Sequence, residues 1–174
     1  MTLDGLPAHP LLVHAVVILL PLAAGALVLH AVWPAARRRL GLVTPGLALV
    51  VLALVPVTMR AGRDLADSIG AASSPQVQRH QQLADQLLPW TVALFVLAVA
   101  QWWWTGPGDR VLAGAGSAGG TGSAGGSSGG SAGGVRRLAS LALLLLTLVV
   151  AVGATVVLVR AGDAGARATW GGVG

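Results

Sequence analysis

The sequence predicts an all-α fold, a four-helix transmembrane bundle forming one polytopic membrane domain. Three observations carry that prediction. Of 174 residues, 55% are hydrophobic and only 10% are charged, where a soluble domain carries roughly 25% charged residues. Four stretches reach the length of about 20 apolar residues that a bilayer crossing needs. The charges fall at the ends of those stretches rather than along one continuous face.

The spans lie at about 10–33, 40–59, 87–104 and 138–159. Pro10 suits a first helical position, where a missing N–H costs nothing. Pro21 and Pro56 fall inside spans one and two and are expected to kink them. Every span is apolar on all sides, so hydropathy marks no buried face. Thr147 is the one polar side chain near the middle of a span, with Gln101 nearer an end.

The connections set the orientation. Arg37, Arg38 and Arg39 sit in a very short first loop, and positive residues in short loops stay cytoplasmic. Arg110, Arg136 and Arg137 fall on the same side, which puts both termini outside. Trp33 and Trp102 to Trp104 then belong to the inner interface and Trp90 to the outer one. Span two is expected to continue as a helix through Ile69 and to stop at Gly70. Arg60/Asp64 and Arg63/Asp67 have i,i+4 spacing on that extension. Ser74 reads as an N-cap with Pro75 at the first helical position. The helix that follows carries His80, Leu83 and Leu87 on one face and leads into span three. Residues 112–134 are almost wholly Gly, Ala and Ser and read as a flexible tether. Residues 114–119 match a GxGxxG string, but no strand precedes it, so it is no nucleotide site. The glycine-rich segment after Arg160 is no fifth span; it reads as a tail, with Trp170 able to fold back onto the bundle.

Composition excludes several functions. There is no Cys, hence no disulfide, thiolate metal site or Cys nucleophile. The isoelectric point near 11.8 comes from scattered arginines, with no Lys at all, so the basic partner is the lipid bilayer and not nucleic acid.

The histidines carry the chemistry. Ionisable groups at membrane depth are costly and default to functional candidates. His30 lies 16 residues after His14, about 24 Å along a helix, and belongs to the other membrane face. His9, His14 and His80 share the outer end. His9 and His14 differ by about 140° around a helix, so they share a face only if His9 lies in a non-helical lead-in. Three readings follow. The histidines bond neighbouring helices and fix the end of the bundle. His14 and His80 ligate a haem b iron, or His9, His14 and His80 hold copper or zinc with Asp64, Asp67 or Asp85 nearby. Or His14 relays protons with Asp64 or Asp67.

The opening string His9-Pro10-Leu11-Leu12-Val13-His14, ahead of a long apolar run, resembles a family of bacterial membrane proteins catalogued as domain of unknown function 2231. The resemblance covers most of the chain outside 112–134. It implies a four-span unit, a histidine leading into span three (here His80, with Gly62 and Asp64 before it) and a glycine-rich end (here Gly162 to Gly174). Some members are joined to cytochrome-like modules, which implies a redox setting. The expected function is that of a bacterial inner-membrane protein without catalysis of its own, acting structurally or inside a larger complex. The alternatives are a haem- or metal-binding electron-transfer module and, third, a proton or solute carrier.

Overall fold

The computed structural model describes residues 2–3, 6–105 and 129–170. A minimal antiparallel pairing of β1 (Thr2–Leu3) with β2 (Leu6–Pro7) leads in. All else that is regular is helical: α1 (Ala8–Val32), α2 (Pro34–Leu40), α3 (Val43–Ser68), α4 (Pro75–Asp85), α5 (Leu87–Thr105) and α6 (Gly129–Trp170). Four helical stretches are long and apolar enough to cross a membrane: Ala8–Val32, Val43–Ser68, Pro75–Trp104 and Arg137–Thr169. The all-α bundle read from the sequence is the observed architecture. Helices α1, α3, α5 and α6 close a ring in which α1 neighbours α3 and α6, and α5 neighbours the same two. The short α4 lies against α6 and α3 at one end.

The buried face follows a heptad-like spacing that hydropathy hides. It runs through Val16, Leu20, Ala23, Ala24 and Leu27 on α1 and through Thr44, Ala48, Val51, Val55 and Thr58 on α3. On α5 it is Leu87, Thr91, Leu94, Ala98 and Gln101. On α6 it is Thr147, Val150, Ala151, Ala154, Val157, Leu158, Ala161 and Ala164. Small and weakly polar residues are common in this seam, while Leu145, Val149, Val152, Val156 and Val159 face outward. Lipid is as apolar as a leucine, so helices associate through close packing and hydrogen bonds rather than through hydrophobic burial. Gln101 Nε2 donates to Thr147 Oγ1 at 2.6 Å inside this seam, which gives the mid-span threonine its role.

Local signals fix the helix ends. Gly70 takes φ +69°, and Ala71 N–H reaches the Ala66 carbonyl while Gly70 N–H reaches that of Asp67. This is the Schellman closure of α3. Ser74 is the N-cap of α4 with Pro75 first in the helix, but its hydroxyl donates to Gln76 Oε1 rather than accepting a backbone N–H. Pro89 explains why α4 and α5 are two helices. Its ring clashes with the carbonyl four residues back, at Asp85, and the break falls at Gln86. At the other end Arg37 folds back to donate to the carbonyls of His30 and Ala31 at 3.0 and 2.9 Å. It thereby closes the C-terminus of α1 with a cation.

Three expectations change. The segment after Arg160 is not a tail but the continuation of α6 to Trp170. Glycine costs about 1 kcal/mol in a helix, and here α4 packs along this stretch. Residues 129–134, expected in the tether, open α6; positions 112–128 lie outside the described residues. Trp90 is not simply an interface anchor. A Cβ on Gly153 would stand 2.3 Å from its ring, so the indole fills a notch that only glycine leaves open.

That notch gives a direct test. Gly153→Ala should lower the unfolding midpoint in detergent by the equivalent of about 1–3 kcal/mol, the usual cost of overpacking. Gly25→Ala, whose new Cβ meets nothing within 4 Å, should leave it unchanged or raise it.

Candidate functional site

Two imidazoles meet at the end of the bundle where α4 packs. Helix α1 already begins at Ala8, so His9 is helical rather than in a lead-in. The 140° between His9 and His14 therefore stands: His9 turns inward and His14 outward. His14 is exposed, with Nδ1 donating to the Pro10 carbonyl of its own helix at 2.6 Å. The pair that the fold brings together is His9 with His80, ring centroids 6.3 Å apart and planes at 80°. His14 and His80, expected as partners, are not joined.

Both inward rings are fixed in the same way. His9 Nδ1 donates to the Thr58 carbonyl of α3 at 3.1 Å. His80 Nδ1 donates to the Ala161 carbonyl of α6 at 2.8 Å. A carbonyl can only accept, so Nδ1 carries the proton in both bonds, and in the neutral form of such a ring Nε2 keeps its lone pair. This is the arrangement in which a histidine serves as a ligand, its other nitrogen spent on a carbonyl that orients the ring. Glycines set the depth of both rings. A Cβ on Gly62 would stand 2.8 Å from His9, and one on Gly165 would stand 3.1 Å from His80.

Two open clefts share His9, Met59, His80 and Ala84. The deeper, about 80 Å³, is walled by Val13, Val16, Val55, Leu87 and Leu158. The other, about 50 Å³ and nearer the helix ends, adds Gly62, Arg63, Gln81 and Asp85. Arg63 Nη2 donates to Asp85 Oδ1 at 2.8 Å, bridging α3 to α4 instead of pairing with Asp67 four residues on. Asp64 and Asp67 are exposed on α3 and line neither cleft. Among the described residues no three His or Asp side chains gather as a metal site. His30 is 1% exposed at the opposite end of α1, apart from the other histidines as the helical rise requires.

No protein-family model, no curated protein and no solved structure matches this chain.

Sequence reasoning named both inward histidines but not their carbonyl partners, nor Met59. Gly62 had a legible signal, since it interrupts an otherwise regular helical stretch, whereas Gly165 lay in a segment read as a tail. Gly62→Ala should displace the His9 ring and lower the unfolding midpoint. The same change in a His9→Ala background should cost much less, the coupling expected of residues in contact.

Proposed function

We propose that the protein is a haem-binding electron-transfer module of a bacterial inner membrane, in which His9 and His80 would hold the iron. The observation that carries this reading is the matched pair of Nδ1–H···O=C bonds on two histidines that line the same two clefts. The wall of the deeper cleft is apolar, as a haem macrocycle would require, and the helices around its small volume would have to part to admit one. Exposed Val17 also borders the deeper cleft, which opens it toward lipid. When bound, such a group supplies reversible one-electron chemistry. The chain's own part is to fix both ring tautomers and exclude water with valine and leucine. A cytochrome-like protein is then the natural electron partner, in line with the family resemblance.

A second reading rests on the same bonds. His9 ties α1 to α3 and His80 ties α4 to α6, so both serve as structural pins in a subunit with no cofactor. Copper held by His9, His80 and the Met59 thioether is the metal form of the site.

Absorption spectroscopy of protein purified from haem-supplied cells separates these readings. A Soret band should be present, should be lost in His9→Ala and in His80→Ala, and should persist in His14→Ala. A protein with no Soret band and no copper by elemental analysis is a structural subunit. Orientation has its own test. The chain lacks cysteine, so Ser117→Cys introduces a single thiol. With the arginine-rich loops inside, it should be shielded from an impermeant reagent in intact cells, while Ser73→Cys should be labelled.

A further inference from the structure

A separate site lies on the far side of α4. Arg79 of α4 and Arg160 and Arg167 of α6 line one cavity of about 440 Å³. The one carboxylate lining it, Asp163, is committed to Arg167 at 2.9 Å. Arg79 and Arg160 form no ion pair among the described residues. Three cations against one anion leave the cavity with a net charge of +2. Gln76, in the first turn of α4, lines it too. That turn has no side-chain cap, because the Ser74 hydroxyl is turned to Gln76. Uncapped first-turn amides favour anions.

The surroundings indicate what kind of anion. Guanidinium groups match phosphate oxygens in pairs. One turn below Arg160 and Asp163 on the same face of α6 lie Val156 and Val159, 42% and 64% exposed. An apolar strip thus runs from the cationic cavity into the membrane-crossing part of the helix. We propose that the Arg79–Arg160–Arg167 cavity is a binding site for a phosphate group, as carried by an anionic phospholipid whose chains follow the Val156–Val159 strip. It uses none of the histidine site and stands whether or not that site holds haem.

The full chain in nanodiscs of phosphatidylcholine, with and without phosphatidylglycerol, tests this by native mass spectrometry. The parent should retain phosphatidylglycerol in preference to phosphatidylcholine. Arg79→Gln with Arg160→Gln should weaken that retention by about tenfold or more, since each basic residue near a lipid surface contributes about 1 kcal/mol. Arg38→Gln with Arg39→Gln, an equal charge loss at the other end, should not. Circular dichroism confirms that both variants keep their helix content. Displacement of the lipid by inorganic phosphate, with the same dependence on Arg79 and Arg160, would identify the free anion as a ligand of the site. Equal retention of the two lipids by the parent, or equal loss in both double variants, would overturn the proposal.

Discussion

A helix in lipid gains nothing by hiding leucine from more leucine, so this bundle depends on how closely its backbones and rings can approach. Three ring-on-glycine contacts express that constraint. Trp90 sits on Gly153, His9 on Gly62 and His80 on Gly165. Each sets a helix-to-helix distance that a single added methyl would change. The two histidine contacts also carry the inter-helix hydrogen bonds, so shape and polarity act at the same points. The clefts beside His9 and His80 exist because those points hold α1, α3, α4 and α6 at fixed separations.

What the sequence disclosed and what it concealed divide along physical lines. The four spans were legible because length and apolarity are additive along the chain. The end of α3 and the start of α4 were legible because Gly70 and Ser74-Pro75 act locally, through backbone geometry alone. The pairing of histidines was not. Whether His9 meets His14 or His80 depends on where α1 begins, and a shift of one or two residues there decides which imidazole faces inward. The continuation of α6 past Arg160 was hidden for a related reason. Glycine weakens an isolated helix, and only contact with α4 shows that these glycines are a packing surface. The buried seam did leave a trace, in the threonines and alanines at Thr147, Ala151, Ala154, Ala161 and Ala164. That trace lies in side-chain size, which a hydropathy scale does not measure.

Polar groups within the spans are used sparingly, and some of them more than once. Thr147 accepts from Gln101 and donates to the Leu143 carbonyl. The Thr58 carbonyl receives His9, while the Thr58 hydroxyl donates to Leu54. Arg63 bridges α3 to α4 and also lines the outer cleft. Such economy follows from the cost of any unsatisfied polar group at this depth.

Arg37 belongs to the same economy but acts at two different times. Arginines in a short loop resist translocation as a rule, and by that rule the three consecutive arginines count alike. Once α1 has formed, only Arg37 folds back onto the carbonyls of His30 and Ala31. In the orientation proposed above, one residue would both help decide which way the first hairpin enters the membrane and close the helix it oriented. Its neighbours Arg38 and Arg39 share only the earlier task. Biogenesis and final structure are thus linked through a single side chain, at the hairpin's tip and far from either candidate binding site.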